Sequence, residues 1–216
     1  MSRASAVPAW RRPLRVCLIR FLAGAATAFA CVHAHGADGL MVDAKQAGHA
    51  VRVHAKAMLN ASRDLIWSTL TDYDHLADFI PGISSSRVID RRGRAAIVEQ
   101  HGEATFFIFN YGIDVVVESA EYPPDLIEIR VVSGNLRQLE GAYQLLPGEK
   151  TGTWLLTWSG LIEPVLPLPS FVAVALMRNS VQAQLRGMIN EIERRRGQIS
   201  SVRPDSINRQ VKLTSW

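Results

Sequence analysis

From residue 49 to residue 59, apolar Val51, Val53, Ala55, Ala57 and Leu59 alternate with Arg52, His54, Lys56 and Met58. A period of two marks a strand with one buried face. Ser62 then offers a helix N-cap and Asp64 a first-turn acid. Leu65, Ile66, Thr69, Leu70 and Tyr73 recur at helical spacing beside Trp67, until Pro81-Gly82 ends the region. From 83 to 162 the pattern predicts a meander of strands over 86–91, 95–105, 106–120, 126–132, 136–146 and 153–162. Arg92-Gly93-Arg94, Pro123-Pro124-Asp125, Gly134-Asn135 and Pro147-Gly148-Glu149 carry the turn chemistry between them. Parity puts Phe107, Phe109, Tyr111, Ile113, Val115 and Val117 on one face of the long strand, and Ile127, Ile129 and Val131 on one face of the next.

An apolar, proline-rich linker, Glu163-Pro164-Val165-Leu166-Pro167-Leu168-Pro169, leads to the last element. Ser170 is its expected cap. Phe171, Val174, Met177, Val181, Leu185, Met188 and Ile192 step by three and four, the signature of a long amphipathic helix. Arg194, Arg195 and Arg196 followed by Gly197 read as its C-terminal end, and the polar tail 197–216 as loose. The order is strand, helix, about six antiparallel strands and a long helix. That is an α+β fold in which a curved antiparallel sheet of about seven strands wraps around a C-terminal helix. Sheet curvature and a single covering helix leave room for a cavity between them.

Charge changes the picture at the N-terminus. The whole chain has 24 Lys and Arg against 20 Asp and Glu. Five of those arginines (Arg3, Arg11, Arg12, Arg15, Arg20) stand in residues 1–34, which contain no acid. After Arg20 an apolar stretch from Phe21 leads to Val32-His33-Ala34, so 1–34 reads as a cleavable signal peptide, cut near Ala34, at Ala30 or just beyond Gly36. The stretch is too short to span a bilayer. Its removal leaves 19 basic residues against 20 acidic, and no cysteine, because Cys17 and Cys31 lie within it. Residues 35–47 are then a flexible lead and 48–196 one ligand-binding domain. An exported chain of this kind is expected in the periplasm; Cys31 after Ala28-Phe29-Ala30 offers lipid anchoring as an alternative, though no Leu stands three residues upstream. The near-neutral remainder removes the basis for nucleic-acid binding.

The stretch Ile66-Trp67-Ser68-Thr69-Leu70-Thr71-Asp72-Tyr73-Asp74-His75-Leu76-Ala77-Asp78-Phe79-Ile80-Pro81-Gly82 resembles the first-helix segment of the polyketide cyclase/dehydrase branch of the START-like superfamily (SRPBCC), which includes the coenzyme Q-binding START-like proteins. Ser86-Arg87-Val88-Ile89, the Gly134-Asn135-Leu136 bend and the closing helix are similar too. The resemblance implies a helix-grip fold with a hydrophobic tunnel for a lipid, an isoprenoid quinone or a polyketide-like molecule. Family members mostly bind or carry ligands, and some catalyse cyclisation or dehydration, so fold alone does not choose between them.

Candidate chemistry divides along the same line. Glu99, His101 and Glu103 share one strand face by parity: turned into a cavity they form an acid/base group, turned to solvent an ordinary polar surface. Phe107, Phe109, Tyr111, Trp154, Trp158, Phe171, Met177 and Val181 are candidates for an apolar ligand wall. Leu166 and Leu168 suit a pocket rim or a portal that touches a membrane, with Phe79 and Ile80 as the opposite lip. Asp72, Asp74 and Asp78 lack the glycine and distal glutamate of a calcium loop, and the scattered histidines without cysteine support no transition-metal site. Nucleophile and phosphate-loop motifs are absent, so no cofactor or metal is expected. Three readings follow: a carrier of an apolar molecule or lipid, a cyclase or dehydratase using His101 with Glu99 or Glu103, and an envelope interaction module without ligand.

Overall fold

The computed structural model describes residues 39–106 and 108–202, within the unit His35–Trp216. The described strands are β1 (Met41–Ala47), β2 (Ala50–Leu59), β3 (Ile83–Arg92), β4 (Ala95–Phe106), β5 (Phe109–Tyr122), β6 (Leu126–Gly134), β7 (Leu136–Pro147) and β8 (Trp154–Pro164). They form one antiparallel sheet in the order β1-β2-β8-β7-β6-β5-β4-β3. Between β2 and β3 lie α1 (Arg63–Leu70), a single 3₁₀ turn (Tyr73–His75) and the four-residue α2 (Leu76–Phe79); α3 (Ser170–Val202) closes the chain. Strands β3 to β8 meander, and β8 then pairs with β2, so the sheet joins its earliest and latest strands. Helix α3 packs on β1 and β2 at one side and on β4 at the other, which is the grip.

Period-two alternation decides which side of each strand meets α3. Val51 and Val53 are fully buried while Arg52 and His54, which alternate with them, face solvent. On α3, Val172, Leu176, Val181, Leu185, Met188 and Ile192 are all buried. A 33-residue helix is roughly 50 Å long, so this stripe can cross the whole sheet. At the start of α1, the Ser62 side chain accepts from the Leu65 N–H at 3.3 Å, as the sequence predicts.

Five local expectations are corrected. The lead 35–47 contains β1, whose exposed Met41 and charged Asp43 and Lys45 hide the strand signal; as an edge strand it draws on backbone pairing with β2 through a two-residue Gly48-His49 turn, Gly48 having φ 65°. The chain reverses between Phe106 and Phe109, which pair, so the long strand starts later than expected. Pro169, not Ser170, holds the capping position of α3: its carbonyl accepts from Val172 and Ala173. Phe171 is 71% exposed, because Val172 carries the inward face of the first turn. Gly197 does not stop α3, which runs to Val202. The arginines before it act sideways, Arg195 on Asp72 and Arg196 on the Asn60 carbonyl. The signal segment 1–34, Cys31 and the tail from 203 lie outside the described residues.

Candidate ligand-binding cavity

Where the sheet bends away from α3 it leaves a cavity of about 140 Å³. Its wall is mostly aliphatic: Ile113, Val115 and Val117 from β5, Ile127 and Ile129 from β6, and Met188 from α3 are among the residues facing it. The alternation that makes the core also makes the cavity, since every second residue of β5 and β6 turns inward. A cavity of this size is on the order of one that takes up a benzene-sized molecule. A longer ligand requires α3 or the segment after α2 to yield.

The register gives the cavity two different ends. At one end Gly102 pairs with Ile113 and Leu136 with Pro164, and exposed Pro81, Gly82, His101 and Glu103 line the opening. Asn135 ties this end together: its backbone carbonyl accepts from the Val165 N–H at 3.2 Å and from the Tyr111 hydroxyl, and its side chain donates to the Gly112 carbonyl at 2.6 Å. At the other end stand Leu70, Tyr73, Ser119, Ile127 and Tyr143, none more than 5% exposed. Polar groups are few: Gln100, Ser180 and Gln184 along the wall, and Tyr73, Ser119 and Tyr143 at the closed end. Burial raises the pKa of both tyrosines, so both phenols stay neutral donors at physiological pH.

The candidates from the sequence separate into five groups. Trp158, Met177 and Val181 line the cavity. Tyr111 is buried but spends its hydroxyl on Asn135, and Phe79 packs beneath Arg195, whose guanidinium carbon is 5.7 Å from its ring centroid, while the next residue, Ile80, meets the cavity. Trp154 lies under Arg63 at 5.0 Å beside a separate surface groove with Leu65 and Ile199. Leu166 and Phe171 are exposed. Phe107 lies outside the described residues, and for Phe109 only the backbone is described. The residues that reasoning missed, above all Tyr73, Ser119 and Tyr143, read as core positions; only knowledge of where the sheet parts from the helix singles them out.

Glu99, His101 and Glu103 sit on the opposite parity to the inward Val98, Gln100 and Gly102. His101 Nδ1 is 2.7 Å from Asp114, an exposed cross-strand neighbour, and Glu99 accepts from Arg87 at 2.9 Å. The imidazole is thus spoken for on the outer face, at the rim rather than inside. Among the described residues no three His, Cys, Asp or Glu side chains converge so as to hold a metal ion.

A sheet that grips one helix over an apolar cavity defines the helix-grip class. The chain belongs to the polyketide cyclase/dehydrase and lipid transport family, whose model matches residues 59–189. It is similar in structure to the Zhui aromatase/cyclase from a Streptomyces species (TM-score 0.59, 16% identity, covering 68% of this chain and 96% of that one). A START superfamily protein from Mycobacterium smegmatis is similar as well (TM-score 0.58, 18% identity, 66% and 97% covered). So is a STAR-related lipid transfer protein from Xanthomonas axonopodis (TM-score 0.54, 16% identity, 72% and 99% covered). At these identities the likeness is one of fold. No curated protein matches the sequence.

Proposed function

We propose that this protein binds and carries a hydrophobic small molecule, a lipid, isoprenoid quinone or polyketide-like compound, in the cavity between sheet and α3. One observation carries the reading: a largely aliphatic cavity, closed at one end, whose few interior polar groups are uncharged, with His101 and Glu103 only at its opening. Apolar surface held away from water in that form is stabilised by filling it with an apolar guest. Among the described residues the imidazole and the carboxylate of the lining, His101 and Glu103, stand at the opening, with His101 turned to Asp114, which favours carriage over cyclisation. Val165, Leu166 and Phe171, 47%, 55% and 71% exposed, follow β8 at the open end and suit transient contact with a membrane during loading. Export by residues 1–34 would place that exchange at the cell envelope.

Native mass spectrometry of protein purified from its host tests the proposal. A retained apolar molecule, removed by organic extraction and taken up again, is the expected result. Protein that leaves the host empty and takes up no apolar compound would overturn it.

A further inference from the structure

Among the described residues Tyr73 Oη is the one buried side-chain oxygen or nitrogen without a partner in hydrogen-bonding geometry, although Ser119 and Glu121 come near enough to act on it. Leaving such a group unpaired costs roughly 5- to 150-fold in the folding equilibrium. Tyr73 is 5% exposed and stands at the closed end of the cavity with Ser119, which is 2% exposed. The two arrive from unrelated elements, Tyr73 from the turn before α2 and Ser119 from β5. Two of the neighbouring inward positions are aliphatic: Val117 precedes Ser119 on β5, and Ile129 pairs with it across the sheet. Two hydroxyls brought together in a mostly aliphatic pocket end, where the Tyr143 phenol is the other polar group, are a specificity feature, because packing alone would be served better by Phe and Ala.

Resting on the reading of the cavity as a ligand site, we propose that Tyr73 Oη and Ser119 form a hydrogen-bonding seat at its closed end. The seat takes the neutral oxygen, hydroxyl or carbonyl, of an otherwise apolar ligand and disfavours a carboxylate. The sign follows from Glu121. By alternation it shares the inward face of β5 with Ser119, and its side chain is 17% exposed. Burial, the Glu121 charge and the pull of that carboxylate on the phenol hydrogen hold Tyr73 protonated, while Ser119 and Arg91, which stands 3.4 Å from Glu121, offset only part of this. A donor beside a fixed anion accepts a neutral oxygen, while a second anion there meets repulsion.

Toluene, p-cresol and p-toluate share one apolar body and differ in the group it ends on, so NMR-monitored titration of the purified protein with each is the test. The expected order is p-cresol tighter than toluene by about 3- to 10-fold, with p-toluate weakest. Tyr73→Phe should erase the p-cresol advantage, keep toluene within about twofold and raise the melting temperature of the empty protein, since the unpaired hydroxyl is gone. Ser119→Ala should reduce the advantage without removing toluene binding. Equal affinity for toluene and p-cresol, tightest binding of p-toluate, or a Tyr73→Phe variant that weakens both neutral compounds alike would overturn the seat while leaving the cavity reading intact. If toluene fails to bind as well, the cavity reading falls and the seat with it.

Discussion

Arg195 donates to Asp72 Oδ2 at 2.7 Å, across 123 residues of sequence. The same guanidinium donates to Glu191 Oε1 at 2.6 Å, Arg194 grips both oxygens of Glu191, and His75 Nδ1 meets the other oxygen of Asp72 at 2.6 Å. This chain of charges fastens the last turns of α3 to the turn that carries Tyr73. It therefore holds one wall of the cavity in place.

Arg195→Ala should loosen that wall. Asp72 and Glu191 each keep one partner, so the loss is that of one partly buried, charge-assisted contact set, about 2 kcal/mol. For a chain of this size that is a fall of roughly 4–8 °C in melting temperature. Amide exchange should quicken in residues 71–79 before it does in β6 and β7. A uniform change across the sheet would contradict the assignment.

The clamp also sets the response to acid. Hydrogen bonding from Arg194, against a burial penalty and with help from Arg195, holds the Glu191 carboxyl at about 2, below its ordinary 4.5. Burial raises Asp72, but the bonds from His75 and Arg195 outweigh it and leave that carboxyl lowered too. A lowered folded-state pKa means the contribution is complete above about 4.5 and is lost as pH falls toward about 2. Denaturant melts of wild type and Glu191→Gln should thus differ most at neutral pH and converge through that interval.

Val115 is 4% exposed and lines the cavity opposite Met177 and Val181. Val115→Phe should fill the cavity with its own ring, since unoccupied space removes much of the usual cost of a larger core side chain. The expected outcome is a folded protein of similar melting temperature that no longer takes up toluene. A Val115→Phe variant that binds as well as wild type would show that ligands enter elsewhere.

Gly187 faces the Phe79 carbonyl oxygen so closely that an added Cβ would stand 2.3 Å from it, and 3.0 Å from Ile80 Cα. Gly187→Ala should push the segment after α2 away from α3, at a cost of about 1–3 kcal/mol. Ligand exchange, followed by stopped-flow fluorescence, should become faster as the opening widens. Unchanged exchange would mean that this segment is not the part that yields.

His101→Ala separates the carrier from the cyclase. With its ring on the outer face against Asp114, its removal should leave stability within about 0.5 kcal/mol of wild type and ligand affinity unaltered. A product formed from a polyketide-like substrate by wild type but not by this variant would restore the catalytic reading.

Much of this protein is decided locally. Alternation in β2, β5 and β6 names the inward residues, the three–four spacing names the buried stripe of α3 from Met177 onward, and Pro81-Gly82 ends its segment where the sequence says, because these signals rest on side-chain directions fixed by each residue's own backbone. The edge strand β1 could not be read that way, since its order comes from hydrogen bonds lent by β2. Phe171 misled for a related reason: it has helical spacing, but the sheet beneath α3 does not extend to its side of the first turn. The cavity is likewise a property of distances between layers. Val53 and Val115 have the same parity and the same chemistry, yet one fills the core and the other faces a void, because α3 leaves the sheet at one and not the other. Tyr73 and Ser119 reach one pocket end across 45 intervening positions of chain, a meeting that no short window of sequence contains. The residues supply the pattern of faces; the curvature of the sheet over a single helix decides which faces enclose a ligand.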